Sequence, residues 1–177
     1  MTLNWGILGA SKFALERMGP AIHAAKGARL AAVASRDLGK VKPFQDYAPD
    51  AKGFDSYEAL LADPDIDVVY IPLPHTLHVE WTLKAIAAGK HVLAEKPFAM
   101  AVPDFDPVIA ARDASGLHVT EAYMISHHPQ WHRIKHLLVD GAIGDLMHVS
   151  AAFSYDNSGD PGNIRNSAAT WGGALRD

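Results

Sequence analysis

"GILGASKFA", residues 6–14, is the stretch on which the fold turns. An apolar run, LNWGIL (3–8), ends at Gly9, and residues with helical spacing begin directly after it. Gly9, Ser11 and Ala14 take the G-x-G-x-x-G/A spacing of a strand-to-helix turn that grips a dinucleotide. Gly9 permits the tight turn, and Ala14 lets the helix pack close on the strand. The N–H groups that open the helix, at Ser11, Lys12 and Phe13, can hold a pyrophosphate. Ser11 departs from the pattern, because it puts a side chain where backbone should approach the phosphates. Either its hydroxyl joins the contact or the cofactor sits slightly further out. Taken alone, the fingerprint does not separate a nucleotide turn from a plain strand-to-helix turn, so its surroundings must decide.

Working outward, four more short apolar runs follow: ARLAAVAS (28–35), DVVYIP (67–72), HVLAEK (91–96) and LHVTEAY (117–123). Together with LNWGIL they read as five strands. The stretches between them, KFALERMGPAIHAAKG (12–27), SYEALLADP (56–64), HTLHVEWTLKAIAAGK (75–90) and VPDFDPVIAARDASG (102–116), have helical spacing, and most close on glycine. Gly19-Pro20 is expected to break or bend the first of these helices. Near-continuous apolar strands alternating with helices imply right-handed crossovers and a parallel sheet covered on both faces. The fold class is therefore α/β, a doubly wound Rossmann-type domain over residues 1–123. After it come a helix, QWHRIKHLLVDGAIG (130–144), and a strand, DLMHVSAAFSY (145–155), which open a second domain over 124–177. The tail, 156–177, is rich in Gly, Asn and Ser, so this second domain reads as incomplete.

Composition excludes several classes. The 177 residues are 49% hydrophobic and 20% charged, the balance of an ordinary globular protein. Net charge is -4 and the 16 Lys and Arg are scattered, so neither nucleic acid nor an anionic membrane is an expected partner. The absence of cysteine excludes a disulfide scaffold and a thiolate zinc site. With no leader-like or membrane-spanning run, a cytoplasmic location is the default.

Two strand ends carry candidate chemistry. At the end of the second strand, where NAD-binding domains place an acid for the ribose 2′-hydroxyl, the sequence is ASRD (34–37). Ser35 takes the acid's place and Arg36 follows, with a planar guanidinium suited to a 2′-phosphate. NADP(H) is the expected cofactor, with NAD the alternative. The plainer reading makes Arg36 a solvated loop residue and Asp37 the N-cap of the next helix. The other strand end is HVLAEKPFAM (91–100), which puts Lys96 where open α/β sheets hold their ligands.

AEKPFA (94–99), EAYMISHHPQW (121–131), LLVDGAIGDLMHVSAAFSY (137–155), DPGNIR (160–165) and WGGALRD (171–177) together resemble the glucose-fructose oxidoreductase and inositol dehydrogenase (Gfo/Idh/MocA) family. Within it, the NADP-dependent sugar and trans-dihydrodiol dehydrogenase branch is most similar. The resemblance covers essentially the whole chain. It implies a Rossmann domain followed by an α/β domain with a large, mostly antiparallel sheet, which often forms the dimer interface; a homo-oligomer is thus expected of the full-length protein. The implied activity is hydride transfer between a nicotinamide cofactor and a hydroxyl carbon of a sugar, polyol or cyclic diol.

The resemblance also assigns residues. Lys96 of the Glu-Lys-Pro motif is implied to be catalytic and to touch the substrate, since a lysine partly desolvated beside a nicotinamide can exchange a proton with the reacting hydroxyl. Glu95 would orient it or bind nearby ribose, and Pro97 would follow a cis bond. IPLPHTLH (71–78) resembles the loop that lies along the cofactor, which makes Pro72, Leu73, His75 and His78 cofactor contacts; His75 stands where Asn is usual. Arg165 is implied to reach the substrate. Asp177 matches the Asp of a G-G-x-x-x-D-x-G-x-H/Y motif that holds and polarises it, and the final partner of that motif lies beyond the sequence. His128, His132 and His136 recur at four-residue spacing, but with no companion carboxylate or Cys motif they are read as structural, and no metal is expected. Two rival readings remain: a non-catalytic nucleotide or sugar sensor of the same fold, and an inactive, truncated cofactor-binding fragment.

Overall fold

The computed structural model describes residues 1–154, 156, 159 and 160. Six strands form one parallel sheet in the order β3-β2-β1-β4-β5-β6: β1 (Leu3–Leu8), β2 (Ala28–Ala34), β3 (Lys52–Phe54), β4 (Val68–Ile71), β5 (His91–Glu95) and β6 (Val119–Ala122). Chain order reverses between β1 and β4, which makes their carboxyl ends the topological switch point where such sheets open a crevice. The expected fold class is the one observed. The sequence reading missed β3, because KGF is short, has a central glycine and lies half exposed on the sheet's edge. It gains strand geometry only by pairing with Ala32–Ala34.

The period of two along the strands, shifted by one residue at an irregularity between Leu30 and Ala32 of β2, divides the core between two faces. Leu8, Ala32, Ala34, Val69, Ile71, Val92 and Ala94 pack on one side with residues of α2 (Tyr57–Ala62), α3 (His78–Ala87) and α4 (Phe105–Ser115). Ile7, Leu30, Val33 and Tyr70 pack on the other with α1 (Gly19–Ala24) and Phe44. A fully buried side chain of this size stabilises by about 1.5–3 kcal/mol relative to exposure, so both layers are needed to cover the sheet.

Gly19-Pro20 does not break the first helix. Residues Ala14–Met18 wind as a π-helical turn that runs directly into α1, with Pro20 in the first turn of the α-helical segment. The wider winding accommodates a residue that has no N–H to give and whose ring would clash one α-helical turn back. Gly89 and Gly116 follow α3 and α4 with positive φ of 76° and 69°, the left-handed ending that the sequence led us to expect.

Residues Met1–Ala122 form one compact unit, and a second begins at Tyr123. In the second, α5 spans Pro129–Val139 as anticipated. The expected strand over 145–155 is not formed across residues 145–154, which are exposed and take no regular structure. A strand exists only through hydrogen bonds to a neighbouring strand. No helix among the described residues is long and apolar enough to cross a membrane.

Candidate active site

Every strand runs parallel, so the carboxyl ends of β2, β1, β4 and β5 share one rim of the sheet. Register places Leu8 beside Ala34, Ile7 beside Tyr70 and Ile71 beside Ala94. The Gly9 turn and Lys96 are therefore separated by two strand spacings, about 10 Å.

At β1 the turn has the geometry that the spacing demanded. Gly9 sits at φ 108°, a conformation that favours glycine, and a Cβ there would also meet Leu73 Cδ2 at 2.8 Å. Gly9 N–H donates to Ala34 O at 2.9 Å, which ties the turn to β2. Ser11, at the second glycine position, turns its hydroxyl inward: Oγ accepts from Ala14 N–H at 3.1 Å, and its carbonyl accepts from Leu15 N–H at 3.0 Å. The hydroxyl thus caps the helix while its own proton stays available to a phosphate oxygen. Lys12 and Phe13 keep the free donors of a helix's first turn. The Lys12 side chain is 84% exposed, 3.8 Å from Glu16.

At the end of β2, Ser35 is 7% exposed, and its Oγ accepts from Asp37 N–H at 3.2 Å. Asp37 caps the following 3-10 turn through Gly39 N–H at 2.9 Å. The N-cap reading of Asp37 is therefore observed, and it does not compete with the other one. Arg36 stands exposed between the two. The neighbouring Asp37 carboxylate is engaged with Gly39 N–H, and the planar Arg36 guanidinium has a geometry suited to bidentate contact with a phosphate.

The end of β5 is held far more tightly. Glu95 accepts from the Tyr70 hydroxyl at 2.7 Å and from Lys96 N–H at 3.3 Å. Tyr70 is fully buried; burial, and then the adjacent Glu95 carboxylate, push its phenol far above the ordinary tyrosine range, so it remains a donor to Glu95. The Lys96-Pro97 bond is cis, as the family resemblance implied. One residue on, Phe98 N–H donates to Glu121 Oε1 at 2.8 Å, and Pro97 O lies 2.8 Å from His78 Nδ1. Lys96 itself is partly buried within this turn.

Of the sequence candidates, the structure brings Gly9, Ser11, Lys12, Phe13, Ser35, Arg36, Pro72, Leu73, His75, Glu95 and Lys96 to this one rim. His78 is the correction. It is 0% exposed, and both its ring nitrogens are taken up by backbone carbonyls of Pro97 and Leu73, so it offers no polar atom to a cofactor. Arg165 and Asp177 lie outside the described residues. His128 caps α5, with Nδ1 accepting from Gln130 N–H at 3.1 Å. Among the described residues no three His, Asp or Glu side chains gather as a metal-binding group. Tyr70 and Glu121 were missed: Tyr70 sits in an apolar run and reads as core, and Glu121 is tied to residue 98 only by the pairing of β5 with β6. A signal existed in the recurrence of a glutamate near the end of each of these strands.

A family model described as an oxidoreductase family with an NAD-binding Rossmann fold matches residues 3–123. The chain is 41% identical over 175 residues to an uncharacterized oxidoreductase of Rhizobium meliloti, spanning 99% of this chain and 52% of that one. It is 40% identical over 176 residues to a dTDP-3,4-didehydro-2,6-dideoxy-alpha-D-glucose 3-reductase of Streptomyces violaceoruber, spanning 99% and 51%. Among solved structures it superposes on a 3-ketoreductase from Actinomadura kijaniata in complex with NADP, with a TM-score of 0.76, 36% identity, and coverage of 82% of this chain and 46% of the other. The chain spans about half the length of the relatives it matches. With the glycine turn, the strand order and these matches in agreement, the chain belongs to the Gfo/Idh/MocA oxidoreductase family.

Proposed function

We propose that this chain is the cofactor-binding half of an NADP(H)-dependent oxidoreductase acting on a hydroxyl or keto carbon of a sugar, polyol or cyclic diol. The observation that carries it is Lys96, placed at the carboxyl end of β5 on the same rim as the Gly9 turn. When bound, the cofactor supplies the hydride chemistry. The chain's own residues do the rest.

In this reading the pyrophosphate rests on the turn, held by the N–H groups of Lys12 and Phe13 and by the Ser11 hydroxyl. Arg36 takes the 2′-phosphate, while Pro72, Leu73 and His75 line the path toward the nicotinamide. In the oxidising direction the substrate hydroxyl gives its proton to the Lys96 amine as hydride leaves the same carbon; in reduction Lys96 returns it. Glu95, held by Tyr70, keeps the Lys96 backbone in place. Residues from 124 onward, with Arg165 and Asp177, are assigned to a substrate and dimerisation domain. The sheet order, the glycine turn and an NADP-bound structural relative support the reading.

The test is a titration of the chain with NADPH and NADH, followed by nicotinamide fluorescence. NADPH is expected to bind about tenfold or more tightly, the worth of one charge-assisted contact. A preference for NADH would overturn the assignment of Ser35 and Arg36, and binding of neither would overturn the cofactor site.

A further inference from the structure

His78 is the most fully enclosed polar ring on the site's side of the sheet, and its surroundings are unusual. It opens α3, is 0% exposed, and sits between two loops of the rim. Nε2 lies 2.8 Å from Leu73 O, and Nδ1 lies 2.8 Å from Pro97 O. Both partners are carbonyl oxygens, which only accept. A neutral imidazole has one N–H and satisfies one of them; its second nitrogen would then press a lone pair against a carbonyl at hydrogen-bond distance. Two protons on the ring satisfy both.

We propose that His78 is a positioning residue: its ring, with a proton on each nitrogen, donates to Leu73 O on one side and Pro97 O on the other. It thereby ties the loop along the cofactor to the turn that carries Lys96. The role of those two loops rests on the function proposed above; the tie itself does not. Glu121 completes the turn's anchorage by taking Phe98 N–H, so the backbone after Lys96 is gripped at successive residues by α3 and β6. A ring with one proton would leave one of these two contacts acceptor against acceptor, and the tie would open on that side. Titratable groups on the segments around the ring are His75, whose ring centroid is 6.0 Å away, Tyr70 on β4, Glu95 and Lys96 at the end of β5, Glu121 on β6, and Asp106, Arg112 and Asp113 on α4.

Three measurements on this chain test the tie. The first is the ring spectrum of the 15N-histidine-labelled wild type at about pH 6, where histidine charge is in play. Both His78 nitrogens are expected to carry hydrogen-bonded protons; a bare nitrogen overturns the proposal, and no variant is needed. The second and third use substitutions that keep one side each. His78→Gln places an amide donor near the Nε2 position, and His78→Asn places one near Nδ1. His78→Gln should hold NADPH within about threefold of wild type while the Phe98 amide exchanges about tenfold faster, the worth of one lost hydrogen bond. His78→Asn should do the reverse. Two variants that behave alike, or like wild type, sink the two-sided tie. If no form of the chain binds NADPH, the cofactor reading falls, and the ring spectrum and Phe98 exchange still judge the tie.

Discussion

Two strand ends on the same rim are built in opposite ways. Around Lys96, at the end of β5, side chains from β4, α3 and β6 hold the Glu95 carboxylate, the Pro97 carbonyl and the Phe98 amide. Around Arg36, at the end of β2, only short local bonds from Ser35 and Asp37 shape the turn, and the guanidinium stands in the open. The proton transfer proposed for Lys96 would need an atom fixed to within a fraction of an ångström, and the long-range contacts lie at that end. Charge recognition of a phosphate tolerates a mobile partner, because attraction falls off slowly with distance.

Substitutions at the two ends should separate these roles. The largest effect is expected from Lys96→Met in the complete enzyme: kcat lower by about a hundred- to ten-thousandfold, with NADPH affinity within a few-fold of wild type. Steady-state kinetics beside fluorescence titration would check it, and turnover surviving within a few-fold would refute the proton-transfer role. Next, Arg36→Ala should weaken NADPH about 10- to 100-fold, leave NADH unchanged, and leave the urea midpoint unmoved, since the side chain holds nothing in the fold. A fall in NADH binding as well would mean that the residue shapes the turn instead.

The smallest effect tests the gripped end from within. Tyr70→Phe removes the donor to Glu95 and should cost about 1–2 kcal/mol in urea unfolding at neutral pH. The same substitution reports on alkaline stability. Burial raises the Tyr70 phenol, and burial also pushes Tyr47 up to about 12. For a raised group the contribution to stability is complete below the unfolded value near 10 and is lost as pH climbs through the folded one. Wild type should therefore weaken from about pH 10 upward, and Tyr70→Phe should weaken less over that window. Equal losses in both would show that Tyr70 is not protected in the fold.

Much of this architecture was legible in advance. Alternating apolar runs and glycine-closed helices are local signals, so five of the six strands and the parallel class could be read directly; β3 could not, because KGF is a strand only while β2 pairs with it. Gly9, Arg36 and Lys96 were legible because each follows a strand whose end defines the ligand rim. His78 was placed at the cofactor through its motif, whereas the fold turns its ring under the loops. Residues 145–154 of the expected strand take no regular structure for a reason related to the missed β3: strand geometry belongs to a pair of segments and not to one.

By itself, then, the order of residues determined the Rossmann class, the glycine turn and the position of the candidate lysine, since each depends on periodicity or on a residue's own backbone freedom. Tertiary structure alone decided that Tyr70 holds Glu95, that Glu121 holds Phe98 and that His78 bridges Leu73 to Pro97. Those partners lie between 5 and 25 residues apart along the chain, and the directed hydrogen bonds that join them appear only once the parallel sheet and its helices bring them together.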